Sequence, residues 1–165
     1  MVDLEECGFI EKYVPFHLEA ESRTTRYAVA DPFLRFYGRF IKPKNKQIAE
    51  GKFIKSPLFA LPGSQYRQWL GYSFESWCRR NSHLVAQALG FSDVNYRSGS
   101  YFQRGTSADP GYQIDLVFSR DDRVITVCEI KDGETLAAKK LSAEFDNKLK
   151  FLPVPKRATV QRVLI

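Results

Sequence analysis

The chain has 165 residues, of which 44% are apolar or aromatic, with 25 Lys and Arg against 19 Asp and Glu, a formal charge of +6 and a pI near 9.3. That apolar content supports a packed core and excludes a disordered chain, while the basic excess suits a nucleic-acid partner without requiring one. No apolar run approaches the roughly 18 residues of a membrane span, the N-terminus lacks a signal-peptide pattern, and Cys7, Cys78 and Cys128 are too scattered for a structural zinc site or a disulfide framework, so a cytoplasmic protein is expected.

Residues 3–8 read as the end of a helix closed by Cys7-Gly8. Residues 9–16 and 23–30 read as strands joined by a polar turn, Glu19-Ala20-Glu21-Ser22. A helix end followed by such a hairpin has the shape of the second half of a winged helix. Residues 1–30 are therefore expected to be a winged-helix remnant, and the chain either a piece of something longer or one that begins at an unusual point. Asp31-Pro32 opens the next helix, Asp as N-cap and Pro at the first position. Phe33, Leu34, Phe36, Tyr37, Phe40 and Ile41 give it a broad apolar face, and Pro43 is its expected end. Residues 31–63 then form a linker helix and a basic loop. Lys42, Lys44, Lys46, Lys52 and Lys55 serve there either as solvated charges or as phosphate contacts.

Residues 64–89 follow a helical pattern with Trp69, Tyr72, Trp77, Leu84 and Leu89 as the predicted core stripe and Gly90 as the cap. Glu75 lies in this helix four residues before Arg79, the spacing of a surface ion pair. A strand over 94–102, a loop over 104–111, two strands around Asp115 and Glu129, a helix over 137–149 and a last strand over 159–165 complete the chain. His17 and His83 read as surface or packing residues, and Cys128 as an inert core residue.

The chemistry concentrates in Tyr112-Gln113-Ile114-Asp115-Leu116-Val117 and Val127-Cys128-Glu129-Ile130-Lys131. A period of two puts Gln113 and Asp115 on one face, opposite Ile114 and Leu116, and points Glu129 and Lys131 together, away from Cys128 and Ile130. Ser119-Arg120-Asp121-Asp122-Arg123 reads as a tight turn, so the strands form an antiparallel hairpin that brings Asp115 beside Glu129 and Lys131. Two carboxylates and an ammonium suit a divalent cation and phosphodiester hydrolysis. The same three residues also fit an exposed cross-strand ion pair.

The element order from Ser64, with acids on the first helix and on the second and third strands and a lysine two residues after the last acid, resembles the PD-(D/E)XK nuclease superfamily. The resemblance implies an α/β (α+β) fold: a restriction-endonuclease-like core with a mixed central sheet flanked by helices over residues 64–165. Asp115 matches the metal-binding aspartate, Glu129-Ile130-Lys131 the (D/E)-x-K element and Glu75 the helical glutamate, while Ile114 stands where the family places proline. Arg26-Tyr27-Ala28-Val29-Ala30-Asp31-Pro32-Phe33-Leu34-Arg35-Phe36-Tyr37, Gly71-Tyr72-Ser73-Phe74-Glu75-Ser76-Trp77-Cys78 and the two acidic strand elements carry a closer resemblance. It is to the DUF234-type C-terminal domain of prokaryotic and archaeal AAA+ ATPases, where a winged helix precedes it. The chain has no GxxxxGK[ST] loop, so an ATPase module would lie upstream in cis or act in trans.

The resemblance further implies Mg²⁺ or Mn²⁺ held by Asp115, Glu129, the Ile130 carbonyl and Glu75. Catalysis would fall to Glu75, Asp115, Glu129 and Lys131, with Gln113 positioning water or phosphate, and Arg97, Arg104, Lys139 and Lys140 would contact the DNA backbone. The expected function is a metal-dependent DNA endonuclease domain associated with an AAA+ ATPase, without a membrane partner and with self-association open. The alternatives are a DNA-binding or regulatory module that does not cleave, and an interaction domain using the aromatic helix at 33–41.

Overall fold

The structure, a computed structural model, describes residues 2–13, 16, 26–103, 105, 111–131 and 138–165. The chain divides into two compact units, Met1–Tyr13 with Thr25–Ser73, and Val14–Thr24 with Phe74–Ile165.

In the first unit, helix α1 (Val2–Glu6) leads into strands β1 (Ile10–Tyr13) and β2 (Arg26–Val29), which pair antiparallel from Ile10↔Val29 to Tyr13↔Arg26. Gly8, at φ 73°, lets the chain turn out of α1, its amide donating to the Glu5 carbonyl and that of Phe9 to the Leu4 carbonyl. The predicted turn at 19–22, His17 and the outer ends of the two predicted strands lie outside the described residues. Asp31 caps helix α2 (Pro32–Phe36) as expected, its carboxylate accepting the Phe33 amide at 2.7 Å and the Leu34 amide at 3.4 Å. Pro43 does not stop the helical path. A π-turn (Tyr37–Ile41) and a 3₁₀ turn (Lys42–Lys44) carry it into helix α3 (Asn45–Ala49). Pro43 sits in the first positions of its 3₁₀ turn, where a missing amide hydrogen costs nothing. Within this unit Phe36, Phe40, Tyr66 and Trp69 pack ring against ring, Tyr66 stacked on Trp69 at 5.9 Å.

The second unit is built on a mixed sheet of β3 (Tyr96–Gln103), β4 (Tyr112–Arg120), β5 (Val124–Glu129) and β6 (Thr159–Leu164), in that order. The first three pair antiparallel; β6 returns parallel to β5 after helix α6 (Ala138–Leu149). Helix α4 (Gly63–Arg80) and α5 (Ser82–Ala88) precede the sheet. Phe145 of α6 packs with Ile114, Val117, Ile125 and Val127 on one face. On the other, Cys78, Val85 and Ala86 from α4 and α5 meet Leu116, Phe118 and Cys128. The expected α+β architecture, a mixed sheet between helices with a small separate antiparallel pair, is therefore present.

Two sequence expectations are corrected. The helical stretch over 64–89 breaks at Asn81, and Tyr72, Trp77 and Leu84 of the predicted core stripe are exposed. The buried positions are the smaller Ser76, Cys78, Val85 and Ala86, whose size lets the two helices lie close to the sheet. The strict alternation in β4 also fails. Gly99 pairs with Val117 but Tyr101 with Ile114, so two steps on β3 face three on β4 and the extra residue falls at Asp115-Leu116. Ile114 and Leu116 consequently belong to opposite cores. Among the described residues no helix is long and apolar enough to cross a membrane.

Candidate functional site

β4 and β5 form the expected hairpin, paired from Ser119↔Ile125 to Leu116↔Cys128, with a loop at 121–123 whose last residue, Arg123, takes the left-handed conformation (φ 64°) of a three-residue turn. Beyond Leu116↔Cys128 side chains replace the ladder. Asp115, released by the bulge, accepts the Ile130 amide on Oδ2 at 2.9 Å. On the opposite edge the Ile165 amide donates to the Glu129 carbonyl at 3.0 Å, and the Lys131 amide donates to the Ile165 carbonyl at 2.9 Å. The main chain from Glu129 to Lys131 is thus held from both sides, which fixes the direction of its side chains.

Asp115 and Glu129 are both buried, at 6% and 5% exposure. Glu129 and Lys131 do point together, as period two requires: Lys131 Nζ lies 2.9 Å from Glu129 Oε1. A second ammonium, unforeseen in the sequence, reaches the same carboxylate. Lys148 Nζ donates to Glu129 Oε1 at 2.7 Å and Oε2 at 2.8 Å. It comes from α6, whose Phe145 and Leu149 pack into the core and leave Lys148 at the flank of the buried face. The only hint in the sequence was a lysine flanking an apolar helix stripe in the crossover to a parallel strand.

These four charged groups line an open cleft of about 480 Å³. Gln113 and Asn147 add amides to its wall, and Tyr112 and Phe151 add rings. Gly111 borders it where no side chain fits, since a Cβ would come within 2.6 Å of the Gly105 nitrogen. Burial pushes the Asp115 carboxyl above the usual carboxylate range, and the nearby Glu129 charge pushes the same way against the Ile130 hydrogen bond. Burial works against the charge on Lys131, but its bond to Glu129 and the surrounding carboxylates leave its pKa raised. Cys128, in the core, is pushed up to about 12 by burial, as an inert thiol should be.

Glu75 makes the ion pair its spacing allows, with Arg79 at 3.8 Å, but the two side chains are partly buried and not on the open surface. It also lies within electrostatic reach of the site: burial first, then the Asp115 charge, raise its carboxyl. It does not line the cleft. Ile130 contributes its amide to Asp115. Arg97 stands on β3 with its guanidinium 5.6 Å from the Phe16 ring centre, away from the cleft lining. Arg104 and the side chains of Lys139 and Lys140 lie outside the described residues.

Among the described residues no three His, Cys, Asp or Glu side chains gather as a metal cage. Two carboxylates lining one cleft nevertheless match the demand of Mg²⁺, which commonly rests on one or two carboxylates and completes its shell with water and phosphate. Asp115 and Glu129 would be those ligands.

No known protein-family model matches the chain, and no solved structure does. It is similar to a protein of Methanocaldococcus jannaschii described as uncharacterized protein MJECL04, with 28% identity over 130 residues. That match covers 78% of this chain and 27% of the relative, so the chain spans about a quarter of the length of the curated protein it matches.

Proposed function

We propose that the second unit hydrolyses phosphodiester bonds in DNA with the help of Mg²⁺ or Mn²⁺, in the manner of the PD-(D/E)XK nucleases it resembles. The observation that carries this reading is the meeting of Asp115, Glu129 and Lys131 in one cleft, with Lys131 Nζ 2.9 Å from Glu129 Oε1. A divalent cation on Asp115 and Glu129 would supply the charge that eases ionisation of a water and attack on phosphorus. The chain's own groups do the rest. Asp115 is oriented by the Ile130 amide. Lys131, held cationic beside Glu129, faces the charge that builds on the phosphate oxygens. Gln113, on the cleft wall, positions water or phosphate, and Glu75, whose carboxyl feels the Asp115 charge, stands behind the site. Arg97, Arg104, Lys139 and Lys140 would make sequence-independent contacts to the DNA backbone. An AAA+ ATPase, upstream in cis or in trans, would be the partner module in a cytoplasmic protein.

The test is incubation of plasmid and linear DNA with Mg²⁺, wild type beside Asp115→Ala. The expected result is nicking by the wild type and a loss of about 100-fold or more in the variant; equal nicking by both removes the assignment.

One observation favours a second reading. Both oxygens of Glu129 are already taken by lysines, as in a structural ion-pair cluster. A DNA-binding or regulatory module would use such a cluster without cleavage. Salt-sensitive DNA binding with no metal-dependent cutting would decide for it.

A further inference from the structure

The cleft has a second chemistry beside its charges. Phe151, just past the end of α6, lines it and is 43% exposed, so its ring is open to a ligand in the cleft. Its neighbour in the cleft wall is Tyr112, with ring centres 6.1 Å apart. Tyr112 is in turn stacked on Tyr101 at 5.7 Å and 29°, and Tyr101 is buried, so the pair of rings at the cleft rests on a fixed base. Tyr112 lies three residues before Asp115 on β4, a separation on the order of 10 Å along a strand. The cleft lining therefore combines aromatic surface with two carboxylates and two ammoniums.

We propose that the cleft takes a nucleic-acid strand with an unstacked base, the base lying on Phe151 beside Tyr112 and the phosphate lying toward Lys131 and Lys148. The proposal rests on the phosphodiesterase reading and names the substrate class of that same site. In an intact duplex both faces of every base are covered by neighbours, so a ring in the wall has nothing to stack against. A single strand, a flap or a gap presents that face, and base-on-ring stacking tolerates any sequence. A cleft of about 480 Å³ is in the size range of sites that hold one small ligand unit. Gln113, exposed in the same cleft lining, presents its amide to a base edge or a phosphate.

The experiment uses the full chain and three fluorescein-labelled probes of matched sequence: a DNA single strand, an RNA single strand and a DNA duplex closed by hairpins at both ends. Binding is read by anisotropy in EDTA and cutting is read in Mg²⁺. Either single strand should bind about tenfold or more tighter than the closed duplex, and the ratio of the two strands tells which sugar is preferred. Phe151→Ala should lose about tenfold on the single strand and nothing on the duplex, the size of one base–ring stack. Phe151→Trp should restore it. A thermal melt of each variant separates loss of folding from loss of stacking. Equal binding of single strand and closed duplex, or a preference that survives Phe151→Ala, overturns the inference. If the closed duplex is cut as fast as the single strand and Asp115→Ala stops both, the inference falls alone and the nuclease reading stands. If no probe is cut by an Asp115-dependent activity, the reading beneath it falls instead.

Discussion

The two ends of the β4–β5 hairpin use the same residue types to opposite effect. At the turn, Arg120 is bound to both oxygens of Asp122 and donates to Thr126 and Gln161, with its guanidinium 4.3 Å from the Phe91 ring centre. Thr126 donates to Gln161 at 2.9 Å, and Asp122 also accepts the Val124 amide. Arg120 and Asp122 thus have their partners within the fold. At the open end, Asp115 and Glu129 are both buried in the lining of a cleft that Lys131 and Lys148, the two ammoniums on Glu129, also border. Charge that is neutralised locally holds a turn. Charge gathered around an open volume is available to a ligand.

The comparison breaks most visibly at Glu129. Glu129→Ala leaves two ammoniums facing each other across a site with one carboxylate. DNA nicking should fall about 100-fold or more, and urea unfolding should show a loss of about 2–3 kcal/mol, below the full cost of a buried pair because both lysines are partly exposed. At the other end, Arg120→Ala should cost about 2 kcal/mol in the same unfolding assay while nicking stays unchanged. A fall in nicking there would mean that the ends are not independent. Lys148→Met sharpens the contrast further. The ammonium and a divalent ion compete for the same two oxygens, so Mn²⁺ binding followed by electron paramagnetic resonance should tighten by roughly five- to tenfold. Unchanged binding would make Glu129 an anchor for lysine and not a ligand.

The smallest effect is one of pH. Burial raises the Asp115 carboxyl, so the native state holds that proton more tightly than the unfolded chain does. Ionised Asp115 thus costs stability above its native pKa, and the cost vanishes below the ordinary value of about 3.9. Asp115→Asn, which keeps an acceptor for the Ile130 amide, should melt higher than wild type at neutral pH in EDTA, with the gain fading as the pH falls toward 4. The opposite trend would give Asp115 the character of a turn-end carboxylate, ionised and satisfied.

What the sequence disclosed about this site follows from which forces are local. Capping by Asp31 and the left-handed turn at Gly8 depend on a few adjacent residues and were legible. So was the common direction of Glu129 and Lys131, because β5 is regular. The bulge was not legible: residues 114–118 are all buried, so no alternation of polarity marks where the face changes. Lys148 was hidden for a different reason. It meets Glu129 nineteen residues away, through a parallel crossover whose geometry no short window contains. The aromatic residues of α4 misled because size is a poor guide to burial where a helix lies close to a sheet and its small side chains take the inner positions.

The extra residue in β4 serves the acid and not the packing around it. Substituting Asp115 removes a carboxylate and leaves Ile114 and Val117 in their shared core. Excising that residue would restore an ordinary pleat in which Ile114, Leu116 and Val117 alternate faces as they already do, so Ile114 would keep its place in that core. A natural variant that has lost the acid can therefore have shed the residue as well, because the bulge presents a carboxylate and neither core depends on it.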